Sequence, residues 1–432
     1  MNKNNTDSLY QPKVKLSVCM IVKNEELNIA TALKSVEDIA FERIVVDTGS
    51  TDKTVGIAKN MGAKVHHFEW INDFAAAKNA SIEHATGDWI LSLDADEYLL
   101  PDDAQRLLHM LEETGPEPDR FKDCLAISFM LVNIDDFGRQ MTKSSILRVF
   151  RNIPSIKFSG RIHEQLTVEQ KNIIHTNDVT LMHTGYSETI RNKTGKAQRN
   201  IEMLKAELKN NPKNLSLKAY LANTLSMSPD EKEQNEAEAI FEEILSSGKS
   251  AQINNTLIVK LYIFVISKYL NEPGKLAESE EMCKRALLAF PCSVDFEYLL
   301  AVILHKKGEN EKAWQHLKNC EENLINNDTP DDALMIPADP TILFSQMILT
   351  AKALGDIETV ILYSTHVLTL DKTKKSILGP CIATLLYYGV TEAETIDLLS
   401  NIYDMSDKND LNFVAETAKD FGATVFAENL LK

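Results

Sequence analysis

The sequence predicts a two-domain chain, with an α/β domain over residues 1–195 and an all-α domain over residues 196–432. In the first part, short apolar runs alternate with segments whose apolar residues recur at helical spacing. This is the order of a Rossmann-like, mainly parallel sheet with helices on its faces. Strand patterns disappear from about residue 200. The helical patterns that follow recur at intervals of about 34 residues, which is the period of a helix-pair repeat.

The composition excludes several classes of partner. The chain has 432 residues and is acidic, with 46 Lys and Arg against 63 Asp and Glu, which argues against nucleic acid or an anionic membrane as its main partner. The six cysteines are scattered without metal-ligand spacing, as expected of reduced thiols. The polar start lacks the apolar core of a signal peptide, and the most apolar later stretch, LIVKLYIFVISKYL, is too short for a membrane span. We therefore expect a cytoplasmic protein.

The strands and helices of the α/β domain can be placed in order. Strands are predicted in LSVCMIV, RIVVD, AKVHHFEW and DWILSLDAD, and helices between them in NEELNIATALKSV, VGIAKNMGA and FAAAKNASIEHA. In sheets of this kind, ligands bind beyond the carboxyl ends of the strands. Three of those ends carry polar segments, at residues 23–25, 47–52 and 94–97. We expect the three segments to meet in one cleft.

The carboxylates at these strand ends suggest a nucleotide sugar. Asp94 and Asp96 lie two residues apart, so an extended chain directs both to the same side. One can bind a ribose while the other ligates Mn2+ or Mg2+ on a diphosphate, and the cation also stabilises the departing nucleoside diphosphate. Asp47 can accept a hydrogen bond from a ribose hydroxyl or a uracil N–H. Taken singly, each segment also has the composition of a helix cap or a turn.

Several motifs together resemble those of family-two glycosyltransferases of the GT-A fold. The motifs are SVCMIVKNEELNIATALKSV, IVVDTGSTDKT and WILSLDADE, with FEWINDFAAAKNASIEHATGDW between the last two. The blocks ILRVFRNIPSIKFSGRIHEQL and LMHTGY resemble the subgroup whose catalytic domain is followed by tetratricopeptide-like helices. The resemblance is dense over residues 16–186 and weaker beyond. The two-domain plan is most similar to that of S-glycosyltransferases that modify cysteine in glycocin-type antibacterial peptides.

The resemblance implies a UDP-sugar donor and a set of residues that bind it. The family usually has Arg-Asn where this chain has Lys78 and Asn79. Lysine keeps the positive charge but loses the bidentate fork of arginine. The residues expected to bind the nucleotide sugar are Val22, Asn24, Glu25, Asp47, Ser50, Asp52, Lys78, Asp94 and Ala95.

The resemblance also implies that GRIHEQ returns to the cleft and supplies the base. An inverting transferase needs a group that deprotonates the acceptor as it attacks the anomeric carbon. Glu164 is the first choice for this base and His163 the second, followed by Asp135 or Asp136. Without the resemblance, the histidine would be interpreted as a hydrogen-bonded structural residue and the glutamate as a surface acid.

The metal is expected to bind at the end of the DAD segment. Asp96 is the predicted ligand, and His183 of LMHTGY is a second ligand or a contact to the diphosphate. Arg148 and Arg161 are both candidates for neutralising phosphate charge, and the sequence does not choose between them.

The all-α domain partly matches tetratricopeptide repeats. Within residues 261–291, Ser267 occupies the small position and Gly274 the turn between helices, and the unit ends with Pro291. The next unit continues in register, with Gly308 in its turn. Such arrays present a surface that binds peptides or proteins, or that pairs with itself, so a homodimer is possible. A helical bundle without repeats, or a purely structural appendage, is the alternative.

Two rival functions stay open at this point. One is a transferase that builds a cell-surface glycan or modifies flagellin. The other is a repeat-based binding protein whose transferase domain is inactive. The intact aspartates, histidines and glutamate of the motifs argue against an inactive domain.

Overall fold

The computed structural model describes residues 14–114, 124–135, 138–184, 196–326, 335–337 and 339–432. The chain divides into two units, Met1–Leu217 and Lys218–Lys432. The first contains all the strands of the described residues, and the second is helical. The predicted fold class, an α/β domain followed by an all-α domain, is therefore confirmed.

An eight-stranded sheet forms the centre of the first unit, with strand order β3-β2-β1-β4-β7-β6-β10-β5. Neighbours among β3, β2, β1 and β4 run parallel, as predicted. Beyond β4 the sheet is mixed, because β6 and β7 form a hairpin whose short connection allows only an antiparallel pair. The strands are β1 (Leu16–Val22), β2 (Glu42–Asp47), β3 (Lys64–His67), β4 (Trp89–Ser92), β5 (Glu97–Leu99), β6 (Ala126–Ile134), β7 (Gln140–Arg151), β8 (Phe158–Ser159), β9 (Gln165–Leu166) and β10 (Ile173–His183).

Helices cover both faces of this sheet, so β1 is buried on both sides. Leu16, Val18 and Met20 pack into the larger core, while Cys19 packs into the smaller one on the opposite face. A strand buried on both faces has a continuous apolar run, which is why LSVCMIV shows no alternation. The helices of this unit are α1 (Ile29–Ser35), α2 (Thr54–Asn60), α3 (Phe74–Glu83), α4 (Pro101–Thr114) and α5 (Lys196–Asn210).

One detail of the predicted strand DWILSLDAD is wrong. β4 ends at Ser92, and a turn follows in which the Glu97 N–H donates to the Asp94 carbonyl at 3.0 Å. The chain then continues into the short strand β5, which pairs antiparallel with β10. Asp94 and Asp96 therefore lie in a turn and not on an extended chain.

The remaining helices pair through short turns. Gly274 lies between α8 and α9, and Gly308 between α10 and α11, both with the positive φ that favours glycine. The same turn recurs after α12, α14 and α16, at Gly355, Gly389 and Gly422. The helices are α6 (Leu215–Ser226), α7 (Glu231–Ser246), α8 (Asn255–Asn271), α9 (Leu276–Ala289), α10 (Val294–Lys306), α11 (Asn310–Ile325), α12 (Thr341–Leu354), α13 (Ile357–Leu370), α14 (Lys375–Tyr387), α15 (Glu392–Leu399), α16 (Lys408–Asp420) and α17 (Thr424–Leu430).

Membrane-spanning helices are not found among the described residues. No helix there has both the length and the apolar character needed to cross a bilayer.

Candidate active site

A cavity of about 460 Å³ lies in the first unit, beyond the carboxyl ends of β1 and β4. This is where ligands bind in sheets of this type. Ten of the predicted residues line it: Val22, Glu25, Lys78, Asp94, Ala95, Asp96, Arg148, His163, Glu164 and His183.

Four of the predicted nucleotide-binding residues do not line this cavity, and their side chains are engaged in the loops that follow β1 and β2. The Asp47 carboxylate accepts the Ser50 N–H at 3.0 Å and the Gly49 N–H at 3.2 Å. The loop after β2 also receives hydrogen bonds from the loop after β1. The Asn24 N–H donates to Ser50 Oγ at 3.0 Å, and Asp52 Oδ2 accepts the Glu26 N–H at 3.1 Å. The structure thus gives these four residues a local role in shaping one edge of the cleft.

Asp135, one of the two reserve candidates for the base, does not line the cavity. Asp135 lies in the β6–β7 hairpin, where its Oδ2 is 2.7 Å from Arg139 Nη2. Asp136 lies outside the described residues. Of the two arginines proposed for phosphate, Arg148 lines the cavity, whereas Arg161 does not and is more than half exposed.

The carboxylates that follow β4 find their partner in an arginine from β7. Arg148 Nη2 lies 2.6 Å from Asp94 Oδ2 and also donates to Glu97, which is fully enclosed. Crowding by protein atoms would raise the pKa of Asp94, but the charges of Arg148 and Lys78 outweigh it and lower that pKa. Burial raises the pKa of Glu97, and the Asp94 charge adds to the effect. A cation from the protein itself therefore matches the charge of Asp94.

The candidate base is held by an ion pair with the lysine that replaces the usual arginine. Lys78 Nζ lies 2.8 Å from Glu164 Oε1 and 3.5 Å from Asp94 Oδ1, and only 7% of its side chain is exposed. His163, which precedes Glu164 in the chain, has a positive φ of 54°. The surrounding protein lowers the pKa of His163 although the residue is exposed.

Asp96 faces a different set of partners. Its Oδ2 lies 3.4 Å from His183 Nε2, and Asn133 Oδ1 is 2.6 Å from Nδ1 of the same ring. Burial alone would lower the pKa of His183, but the hydrogen bond and the charge of Asp96 raise it. Two acidic or imidazole groups can hold Mn2+ or Mg2+ when diphosphate oxygens and water complete the coordination. Among the described residues, no group of three or more His, Cys, Asp or Glu side chains is placed to hold a metal ion.

Sequence reasoning missed part of the cavity wall. Trp70 and Phe74 line it, with ring centroids 4.9 Å apart, and their aromatic spacing in FEWINDF was a usable signal. Lys196, Arg199 and Asn200 also line it from α5, which the sequence had assigned to the all-α domain. Nothing in their spacing distinguishes them from the solvated face of an ordinary helix.

Comparison with known proteins finds a family match within the first unit. Residues 17–121 match the family described as Glycosyl transferase family 2. A TPR repeat-containing protein of Synechococcus elongatus is 36% identical over 219 residues, covering 49% of this chain and 51% of that protein. The SPbeta prophage-derived glycosyltransferase SunS of Bacillus subtilis is 30% identical over 204 residues, covering 45% of each. The chain thus spans about half the length of these curated relatives.

Solved structures resemble the chain only distantly. Glucosyl-3-phosphoglycerate synthase from Mycobacterium tuberculosis, in complex with Mn2+, UDP and glucosyl-3-phosphoglycerate, has a TM-score of 0.30 and 18% identity, covering 39% of this chain and 72% of that one. This TM-score is too low for the likeness to bear on the function of this chain.

Proposed function

Because residues 17–121 match glycosyl transferase family 2, we propose that the chain moves a sugar from a UDP-sugar to a peptide or protein, with inversion at the anomeric carbon. The observation that carries the proposal is the meeting of two separate groups in one cavity. Glu164, held by Lys78, supplies a base, while Asp96 and His183 supply a place for a divalent cation on the donor.

The proposed reaction is one displacement. The Glu164 carboxylate takes the proton of the acceptor thiol or hydroxyl while that sulfur or oxygen bonds to the anomeric carbon. The bond from the anomeric carbon to the β-phosphate oxygen breaks, and its electron pair leaves with UDP. His163, whose pKa is lowered by the surrounding protein, is the second candidate for the proton acceptor because a neutral imidazole ring has a nitrogen that can accept a proton.

Asp96 and His183 are the residues that would hold Mn2+ or Mg2+. The hydrogen-bond partner of His183 Nδ1, Asn133, fixes the orientation of the ring toward Asp96. A bound divalent cation would stabilise the negative charge that develops on the leaving diphosphate.

The acceptor we propose is a cysteine thiol of a glycocin-type peptide. Support comes from the likeness of the two-domain plan to the S-glycosyltransferases of such peptides. A thiol is also a good nucleophile that needs little help from a base. We place the reaction in the cytoplasm, since all six cysteines of the chain are free thiols, five of them buried. The helical unit would bind the acceptor or pair with a second copy.

Incubation with a panel of nucleotide sugars and Mn2+ or Mg2+ tests the proposal, with release of the nucleoside diphosphate as the readout. We expect one UDP-sugar to be turned over, faster when a Cys-containing peptide is added, and the Glu164→Gln variant to be slow. Turnover only with a hydroxyl acceptor, a glycan or flagellin would replace the proposed acceptor. Absence of both binding and turnover for every donor would leave a repeat-based binding protein.

A further inference from the structure

Helix α5 brings two basic side chains to the cleft. Lys196 and Arg199 are one helical turn apart, so they share a face, and both line the cavity. Lys196 Nζ lies 3.9 Å from Asp96 Oδ2, at the site where we place the cation, and 40% of its side chain is exposed. This loose pair leaves the ammonium able to bind a second anion.

Arg199 is half-buried and pairs with no carboxylate of the described residues. Its guanidinium lies 5.1 Å from the centre of the Phe74 ring, and Nη2 donates to Asn200 at 3.3 Å. Its Nε is buried and has no hydrogen-bond partner. Burial lowers the pKa of Arg199, and no carboxylate of the described residues offsets this effect. A desolvated guanidinium with an unused donor is costly unless an anion completes it.

The other enclosed cations of the cavity are already matched. Lys78 pairs with Glu164, and Arg148 pairs with both Asp94 and Glu97. Among the described residues that line the cavity, the partly buried cation that pairs with no carboxylate is therefore Arg199 of α5. The helix also begins at the cavity, so the positive end of its dipole lies there.

We propose that Lys196 and Arg199 bind the diphosphate of the donor, an assignment that rests on the proposed function. A guanidinium fits two phosphate oxygens at once, and an ammonium adds a compact charge. As the glycosidic bond breaks, negative charge grows on the β-phosphate, so these two contacts strengthen along the reaction. The phosphate contacts of Lys196 and Arg199 are additional to those of any metal ion at Asp96, and they require no proton transfer.

Binding of UDP and uridine to the full chain tests the assignment. Calorimetry measures UDP, and ligand-observed NMR follows the weaker uridine. We expect Lys196→Met and Arg199→Gln each to weaken UDP binding about tenfold or more while uridine binding is unchanged, because only phosphate contacts are lost. Arg199→Lys should fall between wild type and Arg199→Gln. Lys209→Met, an exposed charge at the far end of the same helix, is the control and should bind UDP normally.

Three outcomes would overturn the assignment. Unchanged UDP binding in both variants means that α5 does not contact the diphosphate, although the proposed function survives. Equal losses for UDP and uridine mean that the helix only shapes the cleft. If the wild-type chain binds UDP, GDP, CDP and ADP no better than the corresponding nucleosides, the assignment fails together with the proposed function.

Discussion

Asp94 and Asp96 are two residues apart, yet their surroundings give them different chemistry. The turn after β4 directs Asp94 to Arg148 and Lys78, and Asp96 to His183. The charge of Asp94 is thereby compensated by two cations of the protein. Asp96 instead lies beside an imidazole, a side chain that can also ligate a metal ion. The proposed cation can therefore bind at Asp96. Asp94 contacts Lys78, which also holds the proposed base Glu164.

Glu164→Gln isolates the proposed base. The amide keeps the size of the side chain but cannot accept the acceptor proton. We expect UDP affinity to be unchanged and the transfer rate to fall by about 10²–10⁴, less for a thiol acceptor than for a hydroxyl. Rapid-quench kinetics with saturating donor measures the step.

Glu169→Gln, an exposed acid of the same segment, is the matched control and should transfer normally. A Glu164→Gln variant that loses donor affinity but keeps its bound turnover would make Glu164 a binding residue and leave His163 as the base.

Asp96→Asn tests the metal assignment. Removing one negative oxygen weakens a hard cation site. We expect the increase of UDP affinity on addition of Mn2+ to disappear and transfer to be abolished, with UDP binding in the presence of a chelator unchanged. Titration of Mn2+ against the UDP complex by electron paramagnetic resonance reports the loss directly.

Asp178→Asn, an exposed acid on β10, serves as the charge-matched control for that titration. Normal transfer by Asp96→Asn at saturating Mn2+ would show that the metal binds elsewhere or is not needed.

At the scale of elements, a buried glutamate joins the chain segments at the end of the sheet remote from the cleft. Glu42, the first residue of β2, receives the Ser17 hydroxyl at 2.7 Å and the Thr86 N–H at 2.6 Å, and pairs with Lys64 at 2.7 Å. The Glu42 carboxylate thus connects β1, β2, β3 and the segment before β4. Burial opposes its ionisation, but these donors lower the pKa of Glu42 to about 2.

The pH dependence of stability follows from that pKa. A carboxylate whose pKa is lowered from 4.5 on folding stabilises the native state above about pH 4.5, and its contribution disappears as the pH falls toward 2. Glu42→Gln should therefore lower the free energy of unfolding of the first unit by about 1–3 kcal/mol near neutrality. Its deficit relative to wild type should shrink as the pH is lowered. Urea unfolding over this pH range measures both.

Glu83→Gln, an exposed acid of α3, should follow the wild-type curve. A deficit in Glu42→Gln that stays constant down to pH 2 would mean that packing, and not charge, makes the side chain important.

The sequence predicted the elements better than their ends and pairings. β1 to β3 follow from short strand-like runs, and α1 to α3 from apolar residues at helical spacing, because both patterns are local in the sequence. The antiparallel half of the sheet did not follow, since β7 lies between β4 and β6 through contacts distant in sequence. For the same reason Arg148 could not be assigned to Asp94 and Glu97, and the extended geometry assumed for residues 94–96 was wrong.

At the scale of the whole molecule, α5 contributes side chains to the cavity of the first unit although it follows the boundary predicted at residue 195. The helix carries the fully buried Leu204 and belongs with residues before it in the unit Met1–Leu217. The predicted division at residue 195 stays a proposal about domains, but the cavity needs residues on both sides of it.

Two truncated chains test this placement. A chain ending at Leu217 should bind UDP and hydrolyse a UDP-sugar slowly, while losing efficient transfer to a peptide, because it keeps α5 but lacks the helical unit. A chain ending at residue 195 should bind UDP at least about tenfold more weakly, because two phosphate contacts are absent. Circular dichroism identifies any misfolded product, and UDP calorimetry gives the comparison. Equal UDP affinity in two folded truncated chains would remove α5 from the site.

The glycine turns of the helical unit have a consequence for how its length can change over evolutionary time. Gly355, Gly389 and Gly422 follow α12, α14 and α16 at nearly the same interval that separates Gly274 from Gly308. In such arrays each pair packs mainly on its sequence neighbours. Duplication or deletion of one pair joins surfaces that already fit, so the array can lengthen or shorten by whole pairs without a redesign of its interior. Such duplications and deletions can thus change the length of the helical unit while the cleft of the first unit stays the same.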